Sequence, residues 1–159
     1  MKKVLIASTI LSFATLSSAF AATEGTLLLQ GQIDPVLSLS VAGETGVHDD
    51  LDLTASPTGL KVAEVSENSN AANGYKIEVK SDNASSLKNG TLDSVAYTLS
   101  YGAGGPVTLT TSYQEVKNAG VGGVYNVTED VTISYTGRAA DQLAAGTYSD
   151  TVTFSISAN

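Results

Sequence analysis

The chain has no cysteine and no tryptophan, a single histidine and only three prolines in 159 residues. Without cysteine it can hold no disulfide, so its stability has to come from sheet pairing and core packing. A thiol nucleophile is excluded on the same ground, and a lone histidine leaves a zinc or copper centre without a second imidazole. Positive charge is also scarce: eight Lys and Arg stand against 16 Asp and Glu, a formal net charge of −8 that becomes −10 once Lys2 and Lys3 are gone. A surface of that sign repels phosphate, so nucleic acid is not an expected partner. Its simplest consequence is solubility and mutual repulsion between copies. Nowhere is there a run of about 20 apolar residues long enough to span a bilayer as a helix.

What is present begins with a leader. Lys2 and Lys3 precede an apolar run over residues 4–14, then a Ser-rich stretch and Ala19-Phe20-Ala21. That pattern predicts a secretory signal over residues 1–21, cleaved after Ala21 and implying export through the Sec pathway. The mature remainder is long enough for one domain with a real core. Residues 22–33 read as an N-terminal extension and residues 34–159 as the domain.

Within the extension, Leu27, Leu29, Gly31 and Ile33 fall on one face of a pleated strand, which predicts a β-strand over residues 26–33. It has no adjacent hairpin partner, so it needs a groove to fill. The rest of the chain alternates in the same way, with Val, Ile, Leu, Tyr and Thr as the alternating residues. Asp34-Pro35 marks a bend before Leu37, Leu39 and Val41. Leu51 and Leu53 suggest a short strand; Leu60, Val62 and Val65 suggest a longer one with a bulge. Asn73-Gly74 is a turn before Tyr75, Ile77 and Val79, and Asn89-Gly90 precedes Val95, Tyr97, Leu99 and Tyr101. Tyr125 and Val127 read as one short strand, and Val131, Ile133 and Tyr135 as another. The last run sets Val152, Phe154, Ile156 and Ala158 on one face and Thr151, Thr153, Ser155 and Ser157 on the other. Strands recurring about every ten residues, each with one apolar face, predict an all-β antiparallel sandwich.

Chemistry-bearing constellations are few. His48 lies among Asp49, Asp50 and Asp52, but the spacing lacks the glycine and distal glutamate of a calcium loop, and these aspartates read as a solvated loop. No Gly-x-Ser-x-Gly elbow occurs. The pairs Glu64 with Glu67 and Glu129 with Asp130 fall at expected strand ends, where carboxylates are solvated. The glycines of residues 102–105 and 120–123 precede no helix and cradle no phosphate. Tyr75, Tyr97, Tyr101, Tyr135 and Tyr148 sit at inward registers, leaving Tyr113 and Tyr125 as the exposed pair. Neither an enzyme nor a cofactor is expected.

The run Leu27-x-Leu29-x-Gly31-x-Ile33-Asp34-Pro35-Val36, followed by Leu37 and Leu39, resembles the mature N-terminus of the cysteine-free colonisation-factor fimbriae, major pilins of a chaperone-usher class. Leu143-Ala-Ala145-Gly146-Thr-Tyr148-Ser-Asp150 and the strand after it resemble the closing turn of fimbrial subunits and, more weakly, of spore-coat-U-like secreted proteins. The resemblance implies an incomplete immunoglobulin-like sandwich. It makes Leu27, Leu29, Gly31 and Ile33 a donor strand for the next subunit, and Val152, Phe154, Ile156 and Ala158 the groove edge that a periplasmic chaperone would first occupy. Implied partners are identical or related pilin subunits, that chaperone, an outer-membrane usher and a host or surface receptor. The implied location is the periplasm and then a cell-surface fimbrium serving adhesion or biofilm. The alternative is a free-standing exported binding module, a monomer whose own residues 27–33 complete its sheet and whose loops at residues 48–52 or 118–123 bind a ligand.

Overall fold

The computed structural model describes residues 24–159, and the expected leader over residues 1–21 lies outside them. Residues 24–36 form neither helix nor strand. The strand expected over residues 26–33 is therefore not formed, and Leu27, Leu29 and Ile33 are 82%, 83% and 87% exposed. Alternation specifies which face of a segment is fit for burial, but backbone becomes a strand only when a ladder partner takes up its N–H and C=O groups.

From Asp34 onward the expected all-β architecture is present. Eight strands follow in order: β1 (Leu37–Gly43), β2 (Leu60–Ser69), β3 (Tyr75–Ser81), β4 (Ser86–Asn89), β5 (Asp93–Tyr101), β6 (Gln114–Ala119), β7 (Tyr125–Tyr135) and β8 (Val152–Ala158). A single 3-10 turn at Ala140–Gln142 precedes β8. The strands form two antiparallel sheets, ordered β1-β2-β7-β5-β4 and β6-β3-β8. Labelling β1, β2, β7 and β5 as A, B, E and D, and β3 and β8 as C and F, reproduces the immunoglobulin order. Among the described residues no strand occupies the G position, on the far side of β8.

The core is built from the odd-numbered registers. Val65 on β2, Tyr75, Ile77 and Val79 on β3, Val95, Tyr97, Leu99 and Tyr101 on β5, and Val131, Ile133 and Tyr135 on β7 are all buried. Lys76, Glu78 and Lys80 take the opposite face of β3, as period-two geometry requires. The bulge expected in β2 lies between Lys61 and Ala63, where the register with β7 shifts by one. At the β2–β3 corner Gly74 has φ +81°, and a Cβ there would sit 1.7 Å from the carbonyl oxygen of Ala119, so the turn demands glycine.

Several elements differ from expectation. Leu51 and Leu53 form no strand; Leu53 lies in a turn, and both pack against the core from a loop. The short edge strands β4 and β6 were not foreseen. The two strands expected around residues 125 and 133 are one eleven-residue strand, β7, because Glu129 faces inward between Val127 and Val131 and keeps the period.

The two edges that matter lie at one end. Asn70, just past β2, accepts from Val36 N at 2.6 Å and donates through Nδ2 to the Asp34 carbonyl at 3.1 Å, while its own N–H donates to the Val36 carbonyl at 3.2 Å. Four residues later Gly74 accepts from Asn159 N, just past β8, at 3.2 Å. The start of β1 and the end of β8 thus share one end of the sandwich, and the two strands run in opposite directions.

Candidate subunit-interaction groove

β1 and β8 are the sheet edges that border the missing G position, and their inward side chains are not covered. Val41 is paired with the fully buried Val65, yet is 46% exposed; Leu37 is 37% exposed. On the other side Phe154 and Ile156 are only half-buried, although their partners Val79 and Ile77 are wholly enclosed. Between the edges lies a cleft of about 300 Å³, with Val41, Gly43 and Val62 on one wall, Val152 and Phe154 on the other, and Leu99, Val131 and Ile133 among the residues lining it. An uncovered apolar strip beside unpaired strand edges leaves both backbone groups and apolar side chains open to pairing.

Of the residues singled out in the sequence, Val152 and Phe154 line this cleft, Ile156 follows on the same face of β8 opposite Ile77, and Ala158 stands exposed beyond it opposite Tyr75. Leu27, Leu29, Gly31 and Ile33 lie in the segment without regular structure.

The turn that delivers β8 to its position is firmly held. Asp93 at the head of β5 accepts from Arg138 Nη2 at 2.6 Å, Tyr148 Oη at 3.0 Å and Ala144 N at 3.3 Å. The Arg138 guanidinium, with the smaller help of these donors, holds the Asp93 carboxyl far below the usual carboxylate range. Asn89 Nδ2 donates to the carbonyls of Ala144 and Ala145, both at 3.2 Å, and Ser149 exchanges two backbone bonds with Lys88 at 3.0 Å. Asp150, one residue before Thr151, is a hub: it accepts from Ser81 Oγ at 2.5 Å, Tyr97 Oη at 2.7 Å, Asn83 N at 3.0 Å and Thr151 N at 2.8 Å.

At the other end of the core is a buried charge cluster that alternation alone did not flag. Glu67 is fully enclosed, accepting from the hydroxyls of Tyr75 and Tyr101 and from Lys117 Nζ at 2.8 Å. Lys117 also reaches Glu129 at 2.7 Å. Burial pulls the Lys117 ammonium down, but its bonds to Glu129 and Glu67 outweigh that and hold it above the ordinary lysine range. Burial, then the bond to Glu67, pushes the Tyr75 phenol up to about 12 and raises Tyr101 as well. Glu67 and Glu129 are not strand-end carboxylates in water. Their signal was parity, since both fall on the inward register of their strands.

His48 turns its Nδ1 to the Glu44 carbonyl at 2.8 Å, and a Cβ on Gly43 would be 2.9 Å from its ring. Asp52 caps its own turn, accepting from Thr54 N at 2.9 Å and Thr54 Oγ1 at 2.6 Å. Tyr113 is exposed as expected, but Tyr125 is half-buried, its ring edge-on to Tyr75 at 5.0 Å between centroids. In comparisons with known proteins, no family model matches the chain and no curated protein matches it.

Proposed function

We propose that this chain is a structural subunit of a surface fibre, a fimbrial pilin that polymerises by lending residues 27–33 to the open groove of the next copy. The observation that carries this is the pairing, in one chain, of an uncovered groove beside β8 with an apolar segment of strand-like alternation that has no ladder of its own. Burial of Leu27, Leu29 and Ile33 would each contribute roughly 1.5–3 kcal/mol before ordering costs, in addition to a new set of backbone hydrogen bonds. A head-to-tail contact of this kind does not close on itself and therefore propagates as a fibre.

Direction distinguishes the two ways of filling the groove. Only residues 34–36 separate Ile33 from β1, so a strand contiguous with β1 can run beside it only in the opposite direction, hence parallel to β8. A segment from another copy is under no such constraint and is free to enter antiparallel to β8 and parallel to β1. Before assembly the open edge is an aggregation hazard, which fits a periplasmic chaperone as the first partner and an outer-membrane usher as the second. Export through the Sec pathway, fimbrial localisation and a role in adhesion or biofilm belong to the same proposal.

The test is a denaturing gel of mature protein recovered from the cell surface or periplasm, run with and without boiling. A ladder that collapses to one band on boiling is the expected result. A single compact band before boiling overturns the proposal in favour of a solitary binding module.

A further inference from the structure

Resting on that proposal, we infer that the end of the sandwich at which β1 begins is itself a contact surface for the copy that receives residues 27–33, with Val36, Val121 and Val124 as its apolar contacts.

Strand pairing brings these residues to one end. Leu37 opposes Ser69 and Ser69 opposes Tyr125, so the residues one step outside them, Val36, Asn70 and Val124, form the next row across β1, β2 and β7, within about 10 Å at the usual strand spacing. Val121 and Val124 are 74% and 89% exposed, and Val36 is exposed as well. The loop that carries the two valines is pinned. Tyr125 Oη donates to the Val121 carbonyl at 2.6 Å and Asn159 Nδ2 to Asn118 Oδ1 at 3.0 Å, while a Cβ on Gly122 would lie 1.8 Å from the Ala72 carbonyl oxygen. A loop so held keeps its valines in water until another surface covers them.

Charge is missing from the same place. Residues 70–74 and 118–124 contain no Asp, Glu, Lys or Arg, whereas the opposite end carries Glu44, Asp49, Asp50 and Asp52 between β1 and β2 and Asp82 after β3. Copies of so acidic a chain repel one another, and they meet at least cost where charge is absent. Apolar side chains in place of charged ones are the composition of an interface centre.

Reach decides the occupant. Residues 34–36 span at most about 11 Å, and Asn70 already holds Asp34 and Val36. A copy that takes Ile33 into its groove is thereby drawn to within that distance of the start of β1, whichever way the segment enters. The valine end is the surface it meets.

The test exploits the absence of cysteine. A benzophenone maleimide on Val124→Cys labels the mature protein at one position. Irradiation of assembled material is expected to give a two-subunit band that survives boiling, and the same label at Glu64→Cys, exposed in the middle of β2, is expected to give none. Separately, Val121→Asp combined with Val124→Asp should leave the melt of the subunit unchanged and make the unboiled ladder fall apart roughly tenfold faster or more, since burial of one valine is worth about a factor of ten in an equilibrium constant. If the wild type forms no ladder, the fibre proposal fails and this surface with it. Suppose instead that the wild type forms a ladder, but the label at Val124→Cys reaches no second copy, reaches only another protein, or does no better than the label at Glu64→Cys. The fibre proposal then survives and this surface is overturned, as it is if the double aspartate ladder lasts as long as that of the wild type.

Discussion

Lys117 on β6 reaches across the sandwich to place its ammonium 2.8 Å from the carboxylate of Glu67 on β2, a group with no exposure to solvent. Removing one partner of such a pair strands a buried charge. Lys117→Met is expected to destabilise the domain by about 3 kcal/mol. The double variant Glu67→Leu, Lys117→Met should lose less than the single one, because an apolar pair leaves no charge behind. Urea unfolding of the two variants checks the order; a single variant as stable as wild type would contradict the cluster.

Stability at high pH follows from the phenols. Tyr75, Tyr97 and Tyr101 all ionise above the ordinary tyrosine value, chiefly because burial disfavours the phenolate and next because a carboxylate accepts from each hydroxyl. A raised folded-state pKa means a stabilising contribution that is complete below the unfolded value near 10 and is lost as pH rises through the folded one, about 12 for Tyr75. Phenolate absorbance from these three should therefore appear together with loss of the β-sheet circular dichroism signal. Ionisation of all seven tyrosines near pH 10 with the sheet intact would refute it.

Asp150 holds four donors at the head of β8, so Asp150→Ala leaves Ser81 Oγ, Tyr97 Oη, Asn83 N and Thr151 N without their acceptor. A loss of about 1–3 kcal/mol is expected, the cost of unpaired polar groups at a largely enclosed site. Amide exchange should rise first in the residues before β8. Unchanged exchange there would show that the turn at Asp93 alone positions the strand.

Asn70→Ala removes the two side-chain bonds to Asp34 and Val36 and is expected to cost about 1–2 kcal/mol at most. Its specific mark is local: the Val36 amide should lose protection from exchange while the β3 amides keep theirs. Equal loss at both places would mean that Asn70 acts on the whole domain.

The elements legible in the sequence were those with at least three consecutive apolar inward positions: β3, β5 and β8, the first two preceded by the turn signals Asn73-Gly74 and Asn89-Gly90. Where a polar residue points inward, alternation of type fails although alternation of direction persists. Glu129 split β7 in two on that account, and Glu67 hid the second half of β2. β6, Gln114–Ala119, is mostly polar: only Val116 and Ala119 pack against the core, while Lys117 bridges to Glu67 and Glu129 at its edge. Leu51 and Leu53 show the converse: apolar residues two apart also occur in a loop that caps the core. β8 was readable as a strand because Val152, Phe154 and Ile156 alternate without interruption. The depth of the cleft was not, since it arises from Val41, Val62 and Ile133 on three other strands.

Asn70 also decides how a pull on the N-terminal segment is carried. Tension arriving at Ile33 passes first to residues 34–36, which Asn70 grips at the Asp34 and Val36 backbone, before it reaches the Leu37–Ser69 pair that opens the β1 ladder. The bonds that Asn70 makes to Asp34 and Val36 therefore stand ahead of the first β1–β2 rung and have to give way before it does. A chain without cysteine thus fastens the start of β1 through a single asparagine, where an unpinned end would fray from the first rung.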